Sequence, residues 1–186
     1  MPSEVSSAEQ VALLVRRSLD EGKSVEIDGL GVFEHDHAGN NTFRPRSQPK
    51  VFLAYVEEDL PSANRLYEEL ASNGFAPWLD RRKLLPGQNW PRAIQEAIET
   101  SAFFLACFSH RAARKRGSFQ AEIRYALDCA ARVPLDEAFL IPVRLDDCRV
   151  PWKIRCELQY VDLFPDWNRG TRRILAIMKK QIQKRR

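Results

Sequence analysis

The sequence predicts an α/β protein: a doubly wound sheet of about five parallel strands, preceded by a small helix and β-meander appendage. Three observations carry this. From Lys50 onward, short apolar runs alternate with amphipathic helical stretches, the pattern of βα units with right-handed crossovers and helices on both faces. The run Phe103–Phe108 is apolar at every position, as in a parallel strand covered on both sides. The chain has 186 residues, 44% hydrophobic and 29% charged, enough for one globular domain of ordinary size plus an appendage.

The appendage covers residues 1–46. Ser6-x-x-Glu9 has the form of a capping box, and Val11, Leu14, Val15 and Leu19 follow at helical spacing. Glu21-Gly22 stops that helix. Ser24–Ile27, the turn Asp28-Gly29, Gly31–Glu34, a turn from His35 to Asn41, and Thr42–Arg44 then read as a small antiparallel meander. Arg46–Pro49 reads as a linker.

The main domain, 47–186, opens with a strand at Val51–Tyr55. Asp59 is a plausible N-cap and Pro61 suits a first helical turn. Leu66, Tyr67 and Leu70 stripe that helix, which Asn73-Gly74 ends. A strand from Phe75 to Leu79 leads into a long loop, Asp80 to Asn89, containing Pro86-Gly87. The helix from Trp90 to Thr100 buries Ile94, Ala97 and Ile98. After the third strand and a basic loop, the next helix buries Phe119, Ile123, Ala126, Leu127 and Ala130. Phe139–Val143 is a fourth strand and Tyr160–Leu163 a short fifth, with one helical turn at Trp152–Cys156 between them. The last helix carries Ile174, Ile177, Met178 and Ile182 on one face.

Charge is uneven. The net is +4, yet residues 1–49 hold 5 Lys/Arg against 8 Asp/Glu, and the remainder 24 against 17. Basic loops at the mouth of such a sheet attract phosphate-bearing small molecules; a basic tail such as Lys179–Arg186 is otherwise a solvated face. No apolar run approaches the ~20 residues of a membrane span. The polar, acidic start has no signal-peptide pattern, so a cytoplasmic location without membrane contact is expected. Cys107, Cys129, Cys148 and Cys156 show no CxxC pair or zinc-type spacing. His35-Asp36-His37 has no further His nearby, and no metal is expected.

Ligands in open α/β sheets sit at the carboxyl ends of the strands. Glu122, one short loop beyond the third strand and at the start of the next helix, is the first catalytic candidate. Its other reading is a solvated carboxylate stabilised by the helix N-terminus. A GxGxxG or GxxxxGK[ST] loop after the first strand is absent, and Val56-Glu57-Glu58-Asp59 there would repel a diphosphate. The third strand ends Phe108-Ser109-His110, without the phosphoacceptor Asp of a response-regulator receiver.

Val51 to Phe164 resembles a Toll/interleukin-1 receptor (TIR) domain of bacterial type. The resemblance runs in order through VFLAYVEED, GFAPWLDRRKLLPGQNWPRAIQEAIETS, FFLACFS, KRGSFQAEIRYAL, FLIPVRLDDCRVP and LQYVDLF. It implies a flavodoxin-like fold and cleavage of NAD at the nicotinamide–ribose bond, with Glu122 as the catalytic carboxylate and NAD as substrate rather than cofactor. It implies ADP-ribose or a cyclic ADP-ribose as product, in bacterial antiphage defence or stress signalling. Tyr55 and Trp78 then either stack on nicotinamide or ribose or belong to the core. Asp80 either bonds a ribose hydroxyl or caps a turn; Arg81 and Lys83 either meet the diphosphate or are solvated. Ser109 either contacts ligand or serves a turn. Leu84, Pro86, Gly87 and Trp90 belong to the BB loop, which gates the cleft and mediates homotypic self-association in the family. The family often places an aromatic four residues before the catalytic Glu. Here that position is Ser118; the resemblance leaves Phe119 next door as the substrate-binding candidate on this helix, although it points about 100° away. The alternative the resemblance carries is a non-catalytic TIR assembly module.

The segment SVEIDGLGVFE with the preceding helix end resembles the middle of HU/IHF-type domains. It is acidic and lacks a long basic arm, and nucleic-acid affinity depends on neutralising phosphates, so nucleic-acid binding is not expected. A docking or dimerising role is.

Overall fold

The computed structural model describes residues 7–27, 30–36, 39–45, 48–79 and 89–185. The chain divides into two compact units, Met1–Gln48 and Pro49–Arg186.

The first unit has a helix, α1 (Ser7–Asp20), and three strands, β1 (Val25–Ile27), β2 (Gly31–His35) and β3 (Asn41–Pro45), in an antiparallel sheet of order β1-β2-β3. This is the helix and meander that the sequence predicts. Phe33 and Phe43 face each other across β2 and β3 at 4.5 Å between ring centroids. His35 Nε2 donates to the Leu19 carbonyl at 2.7 Å, tying β2 to the end of α1.

The second unit contains β4 (Lys50–Ala54), α2 (Leu60–Ser72), β5 (Ala76–Trp78), α3 (Trp90–Glu99), β6 (Phe103–Phe108), α4 (His110–Arg114), α5 (Ser118–Ala130), β7 (Leu140–Arg144), α6 (Trp152–Glu157), β8 (Val161–Asp162) and α7 (Trp167–Lys184). The five strands are parallel in the order β5-β4-β6-β7-β8, the flavodoxin-like arrangement. The predicted fold class is therefore observed.

Strand alternation builds two cores. Val51, Leu53, Tyr55, Phe103, Leu105 and Cys107 face one way, packing with Leu66 and Leu70 of α2 and Ile174 and Met178 of α7. Phe52, Ala54, Val56, Phe104, Ala106 and Phe108 face the other, against Ile98 of α3 and Phe119, Ile123 and Ala126 of α5. Every residue of β6 is buried, because helices cover both of its faces.

Two strand prolines fit this ladder. Ala76 N–H bonds Pro49 O, so even-numbered residues of β5 face β4, and Pro77 turns its missing donor to the open edge. Phe104 N–H bonds Phe139 O and Leu145 N–H bonds Phe108 O, so odd-numbered residues of β7 face β6. Pro142 faces the other side, where β8 pairs only with Val143 and Arg144.

Three details differ from the sequence reading. The basic loop after β6 holds a short helix, α4, capped by Ser109. A 3-10 turn at Glu57–Asp59 precedes α2, and Asp59, although at the N-cap position, makes no side-chain cap bond. Strand and helix ends move by a residue or two, where terminal hydrogen bonds fray.

Candidate functional site

Glu122 lies in the second turn of α5. That helix opens from Gly117, whose φ of +119° is a conformation a residue with a Cβ rarely adopts. Ser118, Ala121, Glu122 and Tyr125 recur at helical spacing and form one wall of a cavity. Trp90, Pro91, Ile94, Gln95 and Ile98 of α3 form the other. Asn89 fixes the start of α3, its side chain accepting from Arg92 N–H at 3.3 Å.

The cavity measures about 250 Å³, below the ~300–1,000 Å³ of pockets that enclose a drug-sized ligand. Trp90, Pro91, Gln95, Ser118 and Ala121 are exposed at its mouth; Ile98 and Glu122 are buried. Glu122 is only 7% exposed. No cationic side chain is among the described residues that line it. Tyr125 braces the two walls, its hydroxyl donating to the Glu99 carboxylate of α3. That carboxylate pushes the phenol up to about 12.

The crevice where the strand order reverses lies between the carboxyl ends of β4 and β6, and polar side chains from the segments that follow both strands meet there. Ser109 Oγ donates to Asp59 Oδ2 at 2.5 Å and accepts from Ala112 N–H at 3.0 Å. Arg111 donates to the Glu58 carbonyl at 2.8 Å and stands 3.8 Å from Asp59 Oδ1. Lys115 pairs with Glu58 at 2.6 Å. Burial raises the Asp59 carboxyl above its ordinary range, against the opposing pull of Ser109 and Arg111. Next to it, Asp146 accepts from the N–H groups of His110 and Cys148 at 3.1 Å each. Burial raises this carboxyl too, but those bonds outweigh it and hold Asp146 below the usual range. His110, Asp146 and Asp147 each bring one ligating atom to within 4.8 Å of the others, a grouping the sequence reading missed.

Of the sequence candidates, the structure brings Glu122 and Trp90 to one cavity, together with Ser118, the position at which the family's aromatic is replaced. Phe119 packs edge-on against Phe108 at 5.8 Å, inside the core. Trp78 stacks on Phe52 at 4.8 Å, on the sheet face that α3 and α5 cover. Tyr55 packs among the α2-side residues, on the opposite face. Ser109 is engaged by Asp59 and α4. Asp80, Arg81, Lys83, Leu84, Pro86 and Gly87 lie outside the described residues. Tyr125 and Ile94 were missed as lining residues. Their signal was present, since Tyr125 stands three residues after Glu122 and Ile94 four after Trp90.

The sequence profile of the TIR domain family matches residues 51–175. A TIR domain of the Toll-related receptor TRR-2 from Hydra magnipapillata is similar, with a TM-score of 0.58 and 20% identity over 69% of this chain and 97% of that one. So is a metazoan TIR-STING receptor from C. gigas, solved with 2',3'-cGAMP, with a TM-score of 0.56 and 23% identity over 69% of this chain and 38% of that one. These likenesses concern the fold. No curated protein sequence matches the chain.

Proposed function

Because the chain belongs to the TIR domain family, we propose that its buried carboxylate serves NAD+ glycohydrolysis, releasing nicotinamide from the ribose. The observation that carries this is Glu122: a 7%-exposed carboxylate in a largely apolar cavity between α3 and α5. One carboxylate suffices for this chemistry. Nicotinamide in NAD+ is a pyridinium cation, so the C1′–N bond breaks with its electron pair moving to nitrogen, and the base leaves neutral. No general acid is required, unlike an ordinary glycoside. Glu122 stabilises the positive charge that develops at C1′, more strongly in an apolar pocket than in water. It then orients water for attack at C1′ and accepts the proton released. Capture by the adenine instead yields a cyclic ADP-ribose. Such turnover suits a defence or stress response in which NAD is consumed or a nucleotide signal made.

A TIR assembly module without turnover is the second reading. Ser118 favours it, since the cavity has no aromatic at that point of α5. The test is nicotinamide release, followed by chromatography, from concentrated protein with a crowding agent. Glu122→Ala and Glu122→Gln are run beside the parent. Loss of ~100-fold or more in both variants, with self-association intact by light scattering, is the expected result. No release by a parent preparation shown to self-associate would leave the assembly reading.

A further inference from the structure

We propose that Trp90 selects the departing base, an inference that rests on the glycohydrolase reading of the cavity. Trp90 is the largest apolar side chain on the wall and is 51% exposed. Most core aromatics of this unit are shut away: Phe52, Phe103, Phe104 and Phe108 are nearly inaccessible. Trp90 instead presents indole surface at the mouth of a cavity whose buried polar side chain is the carboxylate of Glu122. An aromatic face attracts a cation within about 6 Å of its ring centre, and tryptophan does so best. A nearby carboxylate adds a second preference for positive charge.

Together they favour one chemical class, a planar ring that is also a cation. A neutral ring gains only the stacking. An alkylammonium gains the charge but lacks the flat face. An anionic group is repelled. At about 250 Å³ the cavity is too small to enclose the whole dinucleotide, so one end of it enters. The pyridinium end of NAD+ therefore enters, its ring against Trp90 and its C1′ in reach of Glu122. Ser118 and Ala121, both small and exposed on the α5 wall, leave room for that ring.

The chemistry also fixes which kinetic constant Trp90 governs. Bond breakage moves positive charge from the ring to the ribose, so the attraction between indole and ring is strongest in the ground state. Trp90 then contributes to binding rather than to the chemical step. It also holds the neutral product less tightly than the substrate.

The test follows the tryptophan indole N–H resonances of the uniformly 15N-labelled full chain during titration with 1-methylnicotinamide, a pyridinium with neither ribose nor phosphate. Trp90→Phe identifies the Trp90 signal. A saturable shift of that signal is expected, at least ~5-fold tighter than with neutral nicotinamide. In turnover assays Trp90→Ala should raise KM about 10-fold with kcat unchanged or raised by up to about 3-fold, and Trp90→Phe should recover most of the loss in KM. An unmoved Trp90 resonance, or equal response to charged and neutral rings, would overturn the inference even if NAD is hydrolysed. A shift without NAD hydrolysis would sustain ring selection while removing the glycohydrolase reading.

Discussion

Asp59 shows how one side chain is reassigned by its neighbours. Its place before Leu60 suits a helix cap, yet its carboxylate turns to Ser109, which lies 50 residues along the chain. Burial favours the neutral acid and raises the folded carboxyl above its ordinary value. A free Asp titrates near pH 3.9, so between that value and the raised one the folded state binds more protons than the unfolded. This group's contribution to stability therefore falls as pH rises through that window. Asp59→Asn removes the titration and keeps an acceptor for Ser109. The variant should lose less stability than the parent as pH rises above the ordinary carboxylate value, measured as Tm against pH. Identical slopes for the two proteins would contradict this. Asp146 works in the opposite sense: held low by two backbone N–H groups, it adds stability above the unfolded carboxyl range that is lost as pH falls.

At the scale of elements, close approach decides where packing is intolerant. Helix α7 presses on β8 at Gly170, where an added Cβ would meet the Asp162 carbonyl oxygen at 2.3 Å and Leu163 Cδ2 at 2.8 Å. The first of these is backbone and cannot rotate away. Gly170→Ala should cost about 1–3 kcal/mol, read as a lowered denaturation midpoint with an unchanged slope. Loss below a few tenths of a kcal/mol would mean that α7 can lift from the sheet. Beside that contact, Arg144 grips both oxygens of Asp162 at 2.6 and 2.9 Å and lies over the rings of Tyr160 and Phe164. This planar, two-pronged pairing is one that lysine cannot reproduce. It holds a strand of only two residues in the sheet. The α3–α5 pair is braced in the same way by Tyr125 and Glu99, which keeps the two walls of the candidate site in register.

For the whole molecule, the two units pose a question of control. Val11, Leu13 and Leu14 on α1 are exposed, an apolar surface of the kind that mediates association. Removing residues 1–48 should therefore reduce oligomer size in light scattering and change NAD turnover per chain. The second unit has its own two-sided core and should keep its helical and strand signal by circular dichroism. Equal size and equal turnover in the two proteins would deny the first unit any such role.

The sequence by itself determined the elements, their order and the class of sheet. Period-2 and period-3.6 patterning is local, and fully apolar runs such as Phe103–Phe108 report burial on both faces without reference to anything else. It also drew attention to Glu122, because a carboxylate one short loop beyond a buried strand is a local feature. Even the two faces of β4 were legible by parity: Tyr55 alternates with Ala54 and must leave the side that Phe52 takes. Only the tertiary structure decided what meets what. Trp90 and Glu122 belong to different helices, and nothing in either segment specifies that α3 and α5 leave a cavity between them. Asp59 and Ser109 join because β4 and β6 are neighbours in a sheet whose order differs from the order of the chain. Patterning encodes how each residue sits relative to its own element; the sites depend on side chains brought together across long stretches of sequence, and packing sets those distances.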